Sequence, residues 1–144
     1  MSAGEEITRE ARRENLAALL DFTDGACARA GLQPPDAFAV RLAVEEVCAN
    51  LIAHGYGDGP PGPVHVRIAP GADAIVVSIA DRAPPFDPVR APAPALDADW
   101  ETRPIGGLGI HLVKQLMDEV KYESFADGGN QLTLVKRRNA KPEQ

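Results

Sequence analysis

The order of elements in this chain predicts an α/β (α+β) two-layer sandwich, with a mixed, mostly antiparallel sheet and its helices on one face. Three observations carry this. Two long helical patterns come early, between one short strand-like run and the rest of the strands. Two pairs of strand-like runs are each separated by a short turn-rich segment, as in hairpins. Finally, strands outnumber the helices available to cross between them, and a doubly wound parallel sheet needs a crossover for each parallel step. With 144 residues, 44% of them hydrophobic, the chain has the size and the core material of one domain, 1–144.

The elements follow in order. A short strand is expected near Ile7. Leu16, Leu19, Leu20, Thr23, Ala26, Cys27 and Ala30 fall at helical spacing, and Gly31 is the stop signal. Asp36, after the connector GLQPP, is placed to cap a second helix from Ala37 to about His54. On that helix Val40, Val44, Val47 and Leu51 share one face. GYGDGPPGP at 55–63 breaks the pattern, and 64–68 and 74–80 then read as a hairpin around PGAD. A long irregular stretch, from Arg82 to about Ile105, precedes a glycine cluster and a helix to about Asp118. Strands at 120–125 and 131–136, joined at ADGGN, close the domain.

Composition excludes several classes. A net charge of −6 argues against a phosphate-binding nucleic-acid surface, so no nucleic-acid partner is expected. Lys136, Arg137, Arg138 and Lys141 form a basic cluster at the C-terminus, read as a frayed, solvated tail over 138–144. No apolar run approaches the roughly 20 residues that span a bilayer. The charged N-terminus lacks the apolar region of a secretory signal, so a cytoplasmic protein without membrane association is expected. Cys27 and Cys48 lie in apolar helical patterns without metal-type spacing and read as buried free thiols.

Three short constellations carry chemistry. Glu46, Asn50 and His54 are each four apart, a polar stripe beside small Ala43, Ala49 and Ala53. A carboxamide oxygen suits Mg²⁺, a hard cation, and a carboxylate can accept a proton. Asp81 ends the apolar run AIVVSIA, where a carboxylate can accept hydrogen bonds from a ligand's amine. Gly106, Gly107, Leu108 and Gly109 precede a helix, a place where free N–H groups and the helix dipole favour phosphate. Each feature alone also has a bland reading: a solvated helix face, a turn-starting aspartate, a tight bend.

In chain order the features are E-x-x-x-N on a helix, strand-D-x-x-x-P-F-D-P, a long loop, G-G-L-G-helix, and G-N-x-L-T-L. That order resembles the ATP-binding (Bergerat) fold shared by DNA gyrase, histidine kinases and mismatch-repair ATPases. VEEVCANLIAHGY, DRAPPFDP, GGLGIHLVKQLMDEVKY and GGNQLTLVKR are similar, more narrowly, to the stand-alone anti-sigma-factor serine kinases of bacterial partner switching. The resemblance runs from about residue 12 to 137. It implies ATP and Mg²⁺ as cofactors, with Asn50 holding the metal against the phosphates and Glu46 receiving the attacking hydroxyl proton. It implies that Asp81 accepts from the adenine amino group, that Thr133 completes the adenine site, and that 89–105, with Trp100, form a lid. Gly106, Gly107, Leu108 and Gly109 would meet the phosphates. For His54, structural support and phosphate contact stand as equal readings; Glu45 points about 100° away and has no role.

The implied partners are a small antagonist protein that accepts phosphate on serine, and a sigma factor that the kinase sequesters. Two departures from the family pattern bear on this. Ala83 stands where the motif has glycine, which at a positive φ would cost on the order of 1 kcal/mol and weaken nucleotide binding. The short N-terminus leaves little for a first strand, an element relatives use in dimer contacts, so the implied homodimer rests on less. Two rival readings remain beside the kinase: a non-catalytic ATP-binding regulatory module, kept alive by Ala83, and the ATPase half of a histidine kinase.

Overall fold

The computed structural model describes residues 4–57, 59–84 and 107–138, and, of 107–110, the backbone alone. Five strands and three helices follow one another along it: β1 (Glu5–Glu10), α1 (Leu16–Arg29), α2 (Pro34–Asn50), β2 (Pro63–Pro70), β3 (Ala74–Asp81), α3 (Gly107–Leu116), β4 (Glu119–Ser124) and β5 (Asn130–Arg137). A 3₁₀ turn, Arg13–Asn15, leads into α1, and a π-helical turn, Leu51–Gly55, extends α2. The sheet order is β1-β2-β3-β5-β4, and every described ladder is antiparallel, so the expected mixed character reduces to its antiparallel part.

Strand alternation sorts the sheet into two faces. Val64, Val66 and Ile68 of β2, Ile75, Val77 and Ile79 of β3, and Leu132 and Leu134 of β5 are all buried on one side. They share one core with Leu19, Leu20, Ala26 and Cys27 of α1, Val40, Val44 and Cys48 of α2, and Val113 of α3. All three helices therefore lie on that face. The other face carries His65, Arg67, Val76, Ser78 and Thr133, none of them buried.

The helix ends follow from local chemistry. Gly31, at φ +75, takes the left-handed position after α1. Its N–H bonds Ala28 O, and the Leu32 N–H bonds Cys27 O, which together close the helix end. Thr23 is fully buried because its hydroxyl donates to Leu19 O at 2.9 Å. Asp36 is not the cap of α2. The helix begins at Pro34 behind Gln33, because prolines suit first-turn positions whose N–H would be unpaired anyway. Asp36 lies inside that first turn, buried, where negative charge complements the helix dipole. Burial pushes the Cys48 thiol up to about 12. Burial, and then the Asp24 charge, push Cys27 up to about 11.

Two expectations about the chain ends are corrected. The first strand is a full six residues, paired with β2 from Glu5↔Ile68 to Glu10↔Pro63, rather than a remnant. The basic cluster is not a solvated tail up to Arg138. Lys136 Nζ donates to Leu116 O at the end of α3, and Arg138 donates to Ala30 O at the end of α1 and to Gly71 O. Cationic side chains settle on helix C-termini because the unpaired carbonyls there carry partial negative charge. Residues 139–144 lie outside the described residues.

The β4–β5 turn brings its backbone close to the end of β3. A Cβ added to Gly129, at φ +99, would stand 2.4 Å from Asp81 O, whereas Gly128, at φ +106, has open space around it. Only glycine lets β5 enter this close to the end of β3. Gly128→Ala should therefore cost about 1–2 kcal/mol, from backbone conformation alone. Gly129→Ala should cost clearly more, because a carbonyl must also move; denaturant unfolding of the two variants measures the difference.

Candidate functional site

A cavity of about 430 Å³ opens between the C-terminal end of α2 and the ends of β3, β4 and β5. Its walls include Val47, Asn50, Leu51 and His54 from α2 and the π-helical turn. The sheet contributes Ile79, Asp81, Tyr122, Asn130 and Leu132, and the chain after β3 contributes Ala83 and Pro84. The sheet side is apolar at Ile79 and Leu132, which pair across β3 and β5, and polar at the next matching pair, Asp81 and Asn130. A flat, partly apolar ligand that presents donors at one edge fits such a wall.

Asp81 is the last residue of β3. Its Oδ1 accepts from the Ala83 N–H at 2.8 Å and from Asn130 Nδ2 at 2.9 Å. Both hydrogen bonds that Asp81 accepts among the described residues fall on Oδ1, and none of them falls on Oδ2. Asn130 is itself buried, and its Oδ1 accepts from the Tyr122 hydroxyl. On the opposite wall Tyr56 ties the π-helical turn to the sheet. Its hydroxyl donates to Pro63 O at 2.6 Å and accepts from the Arg82 N–H at 2.8 Å. Burial pushes this phenol above its usual range.

Asn50 is the last α-helical residue before the backbone widens into the π-helical turn. Its Oδ1 is buried and has no hydrogen-bond partner among the described residues. Leaving a buried amide oxygen unpaired costs about 1–3 kcal/mol, so the site is built to receive something there. A hard cation such as Mg²⁺ accepts a single carboxamide oxygen and fills its other positions with water and phosphate. No group of three or more His, Cys, Asp or Glu able to hold a metal exists among the described residues. The donor set fits a phosphate-borne cation and does not fit an all-protein metal cage.

The structure brings together Asn50, His54, Asp81 and Ala83 of the residues singled out from the sequence. Glu46 lies one turn before Asn50, half-buried, outside the cavity lining formed by the described residues. Glu45 faces elsewhere and pairs with Arg41 at 3.6 Å. His54 is exposed at the rim. Gly107, Leu108 and Gly109 form the first turn of α3 rather than a loop before it, and they are not among the described lining residues. Gly106, Trp100 and the expected lid at 89–105 lie outside the described residues.

Thr133 is a correction. It pairs with Ser78 and Lys121, and its Oγ1 accepts from Gln131 Nε2 at 3.4 Å. Asp81 pairs with Asn130, and a position three residues further along β5 has the opposite parity, so Thr133 lies on the sheet face away from the cavity. The residue of β5 that meets Asp81 is Asn130, the N of the GGN stretch. Pairing the two strands through the hairpin glycines finds it, whereas the family resemblance points to Thr133. Tyr122 and Tyr56 were missed as well, since neither belongs to a recognisable spacing.

Ala83 is also a correction. No non-glycine residue among the described residues has a positive φ, so the expected backbone strain at Ala83 is absent. The residue is buried, and its N–H closes a turn onto Asp81. Ala83→Gly should lower stability by about 0.5–1 kcal/mol, through the added freedom of the unfolded chain, rather than relieve strain. Thermal unfolding measures the sign.

Comparison with known proteins agrees with this fold. A family model described as "Histidine kinase-like ATPase domain" matches residues 9–136. The serine-protein kinase RsbW of Bacillus velezensis is 34% identical over 106 residues, covering 69% of this chain and 65% of that protein. The serine/threonine-protein kinase BtrW of Bordetella bronchiseptica is 29% identical over 98 residues, 68% of each chain. The crystal structure of the RsbU and RsbW domains of Rv1364c from Mycobacterium tuberculosis superposes with a TM-score of 0.67 at 20% identity. The match covers 95% of this chain and 33% of that one, a likeness of fold. With a sheet-end aspartate and a helix-end asparagine facing one cavity, the chain belongs to the histidine kinase-like ATPase domain family, among its serine-protein kinases.

Proposed function

We propose that the chain is an ATP- and Mg²⁺-dependent protein-serine kinase that phosphorylates a small antagonist protein and, when not engaged with it, sequesters a sigma factor. The observation that carries this reading is that two residues lining one cavity each keep an acceptor without a hydrogen-bond partner among the described residues, Asn50 Oδ1 and Asp81 Oδ2. The names of the chain's relatives, serine-protein kinases, support it. Both cysteines are free and buried, in keeping with a reducing cytoplasm. No helix among the described residues is long and apolar enough to cross a membrane. A homodimer belongs to the same proposal.

The residues divide the work. Asp81 accepts from the exocyclic amine of adenine, while Ile79 and Leu132 provide the apolar wall beside the ring. Asn50 offers its amide oxygen to Mg²⁺, which when bound neutralises charge on the phosphate oxygens. Glu46 receives the serine proton as the serine Oγ–P bond forms and the bond from Pγ to the bridging oxygen of ADP breaks. Positioning and charge stabilisation carry most of such a reaction, so a helix that holds a proton acceptor and a cation ligand one turn apart suits it. The added phosphate then places about two negative charges on the antagonist, and an interface shared with the sigma factor exchanges partners accordingly.

One observation favours a second reading: Glu46 is not among the described lining residues. A non-catalytic module, which binds nucleotide to set its shape, keeps Asn50 and Asp81 and has no need of Glu46.

Transfer of radiolabelled phosphate from ATP to candidate antagonist proteins separates the two. Glu46→Gln should keep ATP binding and lose transfer by about 10²- to 10⁴-fold. Asn50→Ala should lose the Mg²⁺-dependent part of ATP binding. Intact ATP binding by the parent chain, without transfer to any antagonist, contradicts the kinase and leaves the module.

A further inference from the structure

Asn130 is the least expected group in the cavity. It is a buried carboxamide, 7% exposed, at the first position of a strand, and every polar atom of its side chain is engaged. Nδ2 faces three acceptors: Asp81 Oδ1 at 2.9 Å, Ala83 O at 3.1 Å and Pro84 O at 3.2 Å. Oδ1 faces the Tyr122 hydroxyl. This network admits one orientation of the amide. Turned over, its oxygen would confront a carboxylate and two carbonyls, and its NH₂ would lose all three acceptors.

We infer that Asn130 is a positioning residue that sets purine selectivity by locking Asp81 with Oδ2 turned toward the ligand. The inference rests on the reading of this cavity as a nucleotide site. Asp81 has two ways to present itself, and the Asn130 and Ala83 donors together select one by occupying Oδ1. Oδ2 then offers an acceptor and no donor. The amine of adenine satisfies it, whereas the carbonyl of guanine would set oxygen against oxygen. The same amide holds Ala83 O and Pro84 O, so the turn after β3 and the aspartate are fixed by one group. Tyr122, from the edge strand β4, fixes that group in its turn. Discrimination by a site whose polar groups are held in place exceeds what apolar shape alone supplies.

The experiment is equilibrium binding of Mg·ATP and Mg·GTP, by calorimetry, to the full chain and to Asn130→Ala, Asn130→Asp, Asn130→Thr and Tyr122→Phe. Thermal melts are recorded in parallel. The parent chain should prefer ATP. Asn130→Ala and Asn130→Asp should weaken ATP by about tenfold or more while changing GTP far less, so that the preference collapses. Asn130→Thr, which returns one donor, should recover part of the preference. Tyr122→Phe leaves the Asn130 donors in place and should erode the preference a few-fold; it serves as the test if Asn130→Ala does not fold. A purely structural role would lower stability and both affinities together. An ATP preference in the parent that survives unchanged in the folded variants overturns this inference alone. A parent chain that binds neither nucleotide overturns the nucleotide reading and this inference with it.

Discussion

The site depends on the register between β3 and β5. Antiparallel pairing sets Ile79 against Leu132 and Asp81 against Asn130, two positions apart on the same face, so an apolar wall and a polar edge follow one another in one cavity. A shift of β5 by one residue would send Asn130 and Leu132 to the other face, away from Asp81 and Ile79. Gly129 guards that register, because the chain passes so close to Asp81 O that any side chain there would push β5 away. The turn of the hairpin and the chemistry of the cavity are thus one constraint.

The opposite wall has a different origin. α2 packs its apolar face on the sheet and ends at Asn50, where the backbone changes to a π-helical turn that carries His54 to the rim. π-turns inside helices recur at functional sites, since they redirect side chains without ending the helix. Tyr56 then ties this turn to the start of β2 and to the residue after Asp81, so the two walls are joined at a fixed separation. On the far side of the domain, Lys136 and Arg138 at the end of β5 cap α3 and α1. The strand that carries Asn130, with the residue that follows it, therefore also meets the ends of α3 and α1.

Much of the fold was legible in the sequence, because apolar spacing reports burial directly. The face of α1, the two hairpins and Gly31 as a stop all follow from period and turn chemistry. The misreadings have local causes. Asp36 looked like a cap because aspartate usually is one, but two prolines ahead of it supply a better helix start. The basic end looked solvated because nothing in a linear sequence shows which carbonyls lie nearby. In the site, Asn50 and Asp81 could be read from motif order, since each ends an element. The family resemblance points to Thr133, while the parity of β5 decides the face and brings Asn130 to Asp81 instead. Ala83 was weighed as a defect against a family glycine, yet its backbone conformation suits any residue. Tyr56 and Tyr122 act through contacts between distant segments, which no spacing announces.

The account is tested most directly by a crystal structure of the chain with Mg²⁺ and a non-hydrolysable ATP analogue. It predicts the adenine amine on Asp81 Oδ2 at about 2.9 Å and the cation on Asn50 Oδ1 at about 2.1 Å. A nucleotide seated elsewhere, or one bound in this cavity with Asn50 Oδ1 still bare, would contradict it.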